Sequence, residues 1–198
     1  EVYCQAARHV MDLGLQAILL VPEIALAIYM EGILRSRLGD RLAVYHSGLS
    51  EGERYDQWMK MARGEVPIVI GARSALFAPF PNLGLVIVDE EHDPAYKQEE
   101  GARYQARDAA VVRGKLANAS VLLGSGTPSV QSYYNASRER YTLLTMPERV
   151  AQSPLPEVQV IDMKDFSSEG KDEEILSPML RDALDAATAS GKQAILFL

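Results

Sequence analysis

The strongest constraint on the fold is a series of short, wholly apolar runs separated by stretches with helical patterns. Runs that are apolar throughout, rather than at every second position, are typical of parallel strands covered on both faces. Strands that alternate with helices predict βαβ units and a parallel sheet. We therefore predict an α/β fold with strands at residues 17–21, 42–45, 67–70, 83–88, 120–123, 158–161 and 193–198.

Local capping signals mark two of the helices between these strands. Ser50 and Glu53 have the spacing of a capping box, and apolar residues follow at helical intervals. Ser177 and Pro178 suit the N-cap and first turn of another helix, and Gly191 suits its end. Residues 146–174 are rich in proline, serine and charge, so we expect a looser connection there, interrupted by one strand.

Composition limits the class of protein but does not identify its binding partner. The 198 residues suffice for one α/β domain with a sizeable core, and the single cysteine excludes an internal disulfide. The net charge of −7 argues mildly against nucleic acid, although a motor can confine positive charge to a groove. No apolar run approaches the ~20 residues of a membrane span, and no secretory signal is evident, so a cytoplasmic location is expected.

The strand predicted at 83–88 runs directly into Asp89, Glu90, Glu91 and His92. Ligands of open parallel sheets bind beyond the carboxyl ends of the strands. A carboxylate there can hold Mg²⁺ on nucleotide phosphates, and a second can orient or deprotonate the attacking water. We assign Asp89 to the metal and Glu90 to the water, and expect Glu91 and His92 to complete the catalytic group. A solvated acidic turn is the simpler alternative.

A second strand end carries small and hydroxyl-bearing residues, namely Gly124, Ser125, Thr127 and Ser129. Thr127 suits an N-cap and Pro128 a first helical turn, so an ordinary capped helix explains this string locally. Its position one strand after the carboxylates favours a different interpretation. The hydroxyls are then expected to hydrogen-bond the acidic turn and to couple hydrolysis to motion.

Five strings of residues support a resemblance to a known family, and they occur in this order: Leu20-Val-Pro-Glu-Ile24, His46-Ser-Gly-Leu-Ser50, the string from Ile70 to Phe80, Asp89-Glu-Glu-His92, and Gly124-Ser-Gly-Thr-Pro-Ser129. They resemble motifs Ia, Ib, II and III, with intervening strings, of superfamily 2 DNA helicases of the primosomal protein N′ (PriA) type. Residues 96–108 resemble that family's aromatic-rich loop. The resemblance covers nearly the whole chain.

The resemblance implies a three-layer RecA-like (P-loop NTPase) fold, with a parallel sheet covered by helices on both faces and truncated at both ends. It implies a first motor domain at 1–145, a connecting segment at 146–176 and the start of a second motor domain at 177–198. In the family, a Gly-Ser-Gly-Lys-Thr phosphate-binding loop directly precedes the string that begins here at Glu1. We therefore expect the isolated chain to lack ATPase activity.

The implied function of the parent protein is an ATP-dependent 3′–5′ DNA helicase of replication restart and primosome assembly. ATP and Mg²⁺ are the implied cofactors, with Zn²⁺ outside this chain. Forked and single-stranded DNA, other primosome proteins and single-stranded DNA-binding protein are the implied partners. Two alternatives stay open: another superfamily 2 nucleic-acid-dependent ATPase, and a catalytically silent α/β protein-binding module.

Nucleic-acid contacts are expected along motifs Ia and Ib and in the aromatic-rich loop. Aromatic rings hold bases without reading sequence, and cations hold phosphates; pairing of Arg73 with a carboxylate is the plainer alternative. The loop is also expected to report bound DNA to the acidic turn. Ala27, Gln105 and Gly126 stand where the family pattern has Thr, His and Ala. The candidate contacts are Pro22, Glu23, Arg73, Ser74, Tyr96, Lys97, Arg103, Tyr104 and Arg107.

Overall fold

The computed structural model describes residues 1–148, 156–166 and 175–197. These residues divide into two compact units, Glu1–Leu143 and Leu144–Leu198, and each is described by itself. The first unit contains α1 (Val2–Asp12), β1 (Gln16–Leu20), α2 (Ile24–Leu38), β2 (Leu42–Tyr45), α3 (Glu51–Ala62), β3 (Ile68–Gly71), β4 (Leu83–Val88), β5 (Lys97–Gln98), β6 (Tyr104–Gln105), α4 (Ala106–Ala117), β7 (Ser120–Leu123) and α5 (Val130–Ser137), with 3-10 turns at Arg73–Phe77 and Pro94–Tyr96.

A five-stranded sheet in the order β2-β3-β1-β4-β7 forms the centre of this unit, and every pair in it is parallel. Five of the predicted strands are confirmed, to within one residue at each end. Strands β1 and β4 are buried along their whole length, as expected of central strands covered on both faces. Their carboxyl ends lie side by side, so the residues that follow them share one edge of the sheet.

Alternate residues of the central strands pack into two separate cores. Ile18 and Leu20 lie in the core that also holds Met61 of α3 and Ala110 of α4. Their neighbours Ala17 and Leu19 lie in the core formed with α1 and α2, which contribute residues such as Cys4 and Leu34. Each large aliphatic side chain buried in this way contributes about 1.5–3 kcal/mol. The predicted three-layer α/β architecture is therefore confirmed.

The predicted helix starts are also confirmed at the level of single hydrogen bonds. The Glu53 amide donates to Ser50 Oγ at 3.3 Å, and the Ser50 amide donates to Glu53 Oε2 at 2.9 Å, which completes the capping box. The Leu180 amide donates to Ser177 Oγ at 3.2 Å at the start of the last helix. Gly191 follows that helix with φ of 69°, a conformation that favours glycine.

The second unit contains a 3-10 turn at Met163–Phe166 and helix α6 (Pro178–Ala189) among its described residues. The strands predicted at 158–161 and 193–198 are wrong: none of residues 158–161 and 193–197 is in a strand, and residue 198 lies outside the described part. Apolar side chains alone do not make a strand, because its amides and carbonyls need a neighbouring strand. No strand in the described ranges pairs with either run.

The predicted loose connection at 146–174 is described only in part, since residues 149–155 and 167–174 lie outside the described ranges. The division into two motor domains stays a prediction. None of the helices in the described part of the chain combines the length and the apolar character that crossing a membrane requires.

Candidate functional site

The acidic turn after β4 is fixed between the ends of two neighbouring strands. The Asp89 amide donates to the Leu20 carbonyl at 2.9 Å, which ties the turn to β1. The Gly124 amide donates to the Val88 carbonyl at 2.9 Å, and the Glu91 amide donates to the Gly124 carbonyl at 3.0 Å. The structure therefore brings the acidic turn and the residues after β7 into direct contact, as the sequence predicts.

Two tyrosines hold Asp89 from different sides. The Tyr3 hydroxyl, from the first turn of α1, donates to Asp89 Oδ1 at 2.7 Å. The Tyr96 hydroxyl donates to the Asp89 backbone carbonyl at 2.6 Å. Burial, reinforced by the negative charge of Asp89, raises the pKa of both tyrosines well above the ordinary value. Both phenols therefore stay protonated and act as permanent donors.

Tyr96 does not have the role that the sequence predicts. Its side chain is fully buried, so neither face of its ring is open to a nucleotide base. The expectation that Tyr96 binds nucleic acid is contradicted by this burial. Tyr3 is a site residue that the sequence reasoning missed, because its partner Asp89 lies 86 positions away and no local pattern joins the two.

Glu90 is both accessible and conformationally unusual. Its φ is 47°, in the left-handed region, which costs a residue with a Cβ roughly 1–2 kcal/mol. Such outliers persist at functional sites, where the surrounding structure holds them in place. The Glu90 side chain is 46% exposed, and its Oε2 lies 3.5 Å from His92 Nδ1. The Glu90 carboxylate is therefore accessible to a ligand at this edge of the sheet.

His92 connects the acidic turn to the hydroxyl residues after β7. Its Nδ1 lies 2.7 Å from Ser125 Oγ, and its Nε2 lies 3.4 Å from Thr127 Oγ1. The hydrogen bonds that the sequence predicts between these segments are thus present, while their coupling role stays a prediction. The predicted N-cap at Thr127 is wrong: α5 begins at Val130, and Ser129 caps it by accepting the Ser132 amide at 3.2 Å.

Glu91 is buried and fully occupied by hydrogen bonds. It is 1% exposed; its Oε1 accepts the Ser129 amide at 2.6 Å, and its Oε2 accepts from the Ser129 and Ser132 hydroxyls at 3.0 and 2.9 Å. Burial acts to raise the pKa of Glu91, but these bonds and Arg107 outweigh it, so the pKa lies below the ordinary value. A direct catalytic role for Glu91 does not fit this geometry.

Arg107 completes the same buried network. Its Nη1 donates to Glu91 Oε2 at 3.2 Å and to Ser129 Oγ at 2.8 Å, and its Nη2 donates to Gln131 Oε1 at 2.8 Å. The residue is only 7% exposed. The expectation that Arg107 contacts nucleic acid is therefore contradicted, because its guanidinium is buried and engaged. Gln131 and Ser132 are further members of the network that the sequence reasoning missed.

The aromatic-rich loop forms a short antiparallel hairpin of β5 and β6. Arg73 donates to the carbonyls of Ala95 and Lys97, at 3.2 Å for Ala95. The Phe77 ring meets the Tyr104 ring edge-on, with the two centroids 5.2 Å apart. The hairpin is thus held against the 3-10 turn at Arg73–Phe77. No carboxylate in the described part of the chain pairs with Arg73, so the alternative of an ion pair is not supported there.

Several predicted nucleic-acid contacts lie on accessible surface. Ser74, Lys97 and Arg103 are exposed, although Lys97 Nζ pairs with Glu99 at 2.7 Å. An open cleft of 720 Å³ lies beside the hairpin, lined by residues that include Arg103 and Tyr104.

The motif Ia residues lie just beyond β1, at the same edge of the sheet as the acidic turn. Pro22 is half-buried and Glu23 is exposed. Ala27, one of the three departures from the family pattern, is completely buried and so does not face a nucleic acid. The buried Oε1 of Gln105, another departure, has no hydrogen-bond partner among the described residues.

The donor set at this edge suits Mg²⁺ bound together with a nucleotide. Among the described residues, no group of three or more His, Cys, Asp or Glu side chains could hold a metal by itself. Mg²⁺ keeps several waters and takes one or two carboxylates together with phosphate oxygens. Asp89 Oδ1 already accepts from Tyr3, which leaves Oδ2 for such a hydrated ion.

Comparisons with known proteins found a matching family profile and similar curated proteins. The sequence profile described as DEAD/DEAH box helicase matches residues 1–136. The chain is 46% identical over 198 residues to "Replication restart protein PriA" of Bacillus subtilis (strain 168), covering 100% of this chain and 24% of that protein. It is also 46% identical to the protein of the same name from Chlamydia muridarum, over 100% of this chain and 26% of that protein.

The solved structure of a DEAD box protein from Methanococcus jannaschii is 19% identical, with a TM-score of 0.43, and the match covers 63% of this chain and 34% of that one. The chain spans about a quarter of the length of the curated relatives it matches.

Proposed function

Since the chain belongs to the DEAD/DEAH box helicase family, we propose that it supplies the carboxylates of ATP hydrolysis in a replication restart helicase that unwinds DNA 3′ to 5′. The observation that carries this proposal is the position of Asp89 and Glu90 beyond the carboxyl end of β4, between the ends of β1 and β7. Nucleotides bind at this edge of open parallel sheets.

Asp89 and Glu90 have different roles in this proposal. Asp89, fixed by three hydrogen bonds, would hold the magnesium ion that accompanies the nucleotide. The ion supplies charge neutralisation on the β- and γ-phosphates when it is bound. Glu90, which is accessible and held in a strained conformation, orients the attacking water and accepts its proton.

The Glu91–Arg107 network is the proposed link between DNA and the hydrolytic site. Arg107 is the second residue of α4, directly after the hairpin, and it bonds to both Glu91 and Ser129. DNA that displaces the hairpin thereby moves a buried ion pair at the acidic turn. Glu91 and Arg107 are thus positioning residues, and Ser125, Thr127 and Ser129 transmit the change.

The proposed DNA path crosses the exposed residues at this end of the sheet. Ser74, Lys97 and Arg103 provide hydrogen-bond donors for phosphates, and Tyr104 provides a ring for a base. Arg73, which also holds the hairpin carbonyls, is a further candidate for a phosphate contact, and Pro22 and Glu23 shape the surface beside it. Binding of this kind is independent of sequence and weakens with salt.

The wider setting of the parent protein follows from the family resemblance. We propose that it carries Zn²⁺ outside this chain and acts with other primosome proteins and single-stranded DNA-binding protein in the bacterial cytoplasm. We propose further that residues 1–145 belong to its first motor domain, and that α6 lies in its second, after a connection over 146–176.

An unwinding assay with the complete protein tests this function. The protein is expected to separate DNA forks with a 3′ single-stranded loading strand in the presence of ATP and Mg²⁺, and not when EDTA replaces Mg²⁺. Equal unwinding of RNA forks, or a 5′ loading preference, would favour another superfamily 2 ATPase. No nucleotide turnover with any nucleic acid would favour the silent binding module.

A further inference from the structure

Tyr3 contacts the carboxylate of Asp89 itself, whereas Tyr96 contacts only its backbone carbonyl. The Tyr3 hydroxyl donates to Asp89 Oδ1 at 2.7 Å, across 86 positions of sequence. We infer that Tyr3 is a positioning residue that orients the Asp89 carboxylate toward the hydrated magnesium ion, an inference that rests on the proposed role of Asp89.

The fold fixes the position of the Tyr3 hydroxyl. Tyr3 lies in the first turn of α1, and this helix is anchored to the sheet by the buried side chains of Cys4, Ala7 and Val10. The donor therefore approaches Asp89 from a packed helix rather than from a loop. The carboxylate itself follows the buried end of β4. The donor thus lies in a helix, and the acceptor directly follows a strand.

Gly124 provides the space that the Tyr3 ring needs. A Cβ at position 124 would lie 1.9 Å from the Tyr3 hydroxyl oxygen and 3.0 Å from its Cζ. Real Cβ atoms do not approach other atoms this closely, so any larger residue would displace the phenol. The absence of a side chain at Gly124 is therefore a condition for the bond between Tyr3 and Asp89.

This arrangement divides the two oxygens of Asp89 between two tasks. A carboxylate with both oxygens free can rotate about its χ2 torsion, which is broad and roughly two-fold. The Tyr3 hydroxyl occupies Oδ1 and so restricts that rotation, which leaves Oδ2 for the waters of the metal. Hydrogen-bond partners of metal-binding groups typically contribute 10–100-fold to metal affinity. A ring that served packing alone would contribute nothing of this kind.

The test measures the affinity of a fluorescent ADP analogue for the complete protein, with Mg²⁺ and with EDTA. The Kd in EDTA divided by the Kd with Mg²⁺ reports the magnesium-dependent part of nucleotide binding. Tyr3→Phe is expected to lower this ratio about 10-fold, while the Kd in EDTA stays unchanged and shows that the variant is folded. Tyr29→Phe, at an exposed tyrosine on α2, is the matched control and should leave the ratio intact.

A second variant uses the contact with Gly124. Gly124→Ala is expected to lower the same ratio, because the new methyl group displaces the phenol. The combination of Tyr3→Phe and Gly124→Ala should lower it less than the product of the two single effects, since both remove one interaction. Multiplicative effects would overturn the inference.

Two further outcomes separate this inference from the proposed function. If Asp89→Asn loses the magnesium dependence while Tyr3→Phe keeps it, Tyr3 does not position the carboxylate and the role of Asp89 stands. If Tyr3→Phe weakens binding equally with Mg²⁺ and with EDTA, Tyr3 serves packing alone. If Asp89→Asn itself leaves the ratio unchanged, both the inference and the proposed metal role of Asp89 are wrong.

Discussion

Replacing Glu90 by glutamine is expected to lower DNA-stimulated ATP hydrolysis by the complete protein by about 10²–10⁴-fold, the usual contribution of a general base. Glutamine keeps the size and hydrogen-bonding reach of the side chain but cannot accept a proton. Nucleotide affinity is expected to stay within about twofold, because the proposed metal-holding group, Asp89, is untouched. Single-turnover hydrolysis and equilibrium nucleotide binding, measured on the same protein, check the two halves of this prediction.

Glu65→Gln is the matched control for charge removal. Glu65 is exposed and precedes β3, so it lies at the amino end of the sheet, opposite the acidic turn. This variant should hydrolyse ATP at the normal rate. Turnover retained in Glu90→Gln would show that another group activates the water, and equal losses in both variants would point to net charge rather than to a base.

Replacing Arg107 by alanine is expected to destabilise the acidic turn by about 3–5 kcal/mol, the usual cost of leaving a buried charge without its partner. Glu91 would keep its hydrogen bonds from Ser129 and Ser132 but lose its cation. At about 1.4 kcal/mol for each tenfold change, amide protection in α4 and in residues 129–132 should fall by a factor between about 10² and about 4 × 10³. Hydrogen exchange with mass spectrometry measures this locally, without assuming two-state unfolding of a large protein.

Arg63→Ala removes an exposed arginine before β3 and should leave exchange unchanged. Arg107→Ala should also lower the ratio of DNA-stimulated to basal ATP hydrolysis, because the hairpin then loses its connection to Glu91. Normal protection in Arg107→Ala would contradict the energetic importance of the network. Lost protection with a normal ratio would contradict its proposed coupling role.

The lowered pKa of Glu91 gives this network a defined pH dependence. Because the folded pKa lies below the ordinary value of 4.5, the unfolded chain binds the proton more readily. The stabilisation is therefore complete above pH 4.5 and is lost as the pH falls through the folded pKa. In the Glu91→Gln variant, which has no carboxylate at this position, amide protection in residues 129–132 should not show this loss at low pH.

The sequence correctly predicted those parts of the fold that are determined by residues close together in the chain. The wholly apolar run at 83–88 indicated a buried parallel strand, and Ser50 with Glu53 indicated a helix start, since both signals are local. The runs at 158–161 and 193–198 carried similar apolar side chains and gave wrong strands. Strand formation depends on a partner strand elsewhere in the chain, and the run itself does not show whether one exists.

The sequence predicted the position of the acidic residues of the site, but not which side chains contact them. Asp89 and Glu90 were identified because they follow a strand whose direction fixes their edge of the sheet. Tyr96 and Arg107 were assigned to DNA because an aromatic ring and a cation in a loop resemble a nucleic-acid surface. Their burial depends on contacts with Asp89, Glu91 and Ser129, which lie in distant segments of the sequence. Residue type alone does not show whether an aromatic ring or a cation is buried or exposed.

If the proposed function is correct, Asp89 and Glu90 face a magnesium-bound triphosphate at the carboxyl edge of the sheet. A crystal structure of the complete protein with Mg²⁺ and a non-hydrolysable ATP analogue measures this directly. We expect a water-mediated contact between Asp89 Oδ2 and the metal, Tyr3 still bonded to Oδ1, and Glu90 beside the γ-phosphate. A nucleotide bound elsewhere, or with both carboxylates turned away from its phosphates, would contradict it.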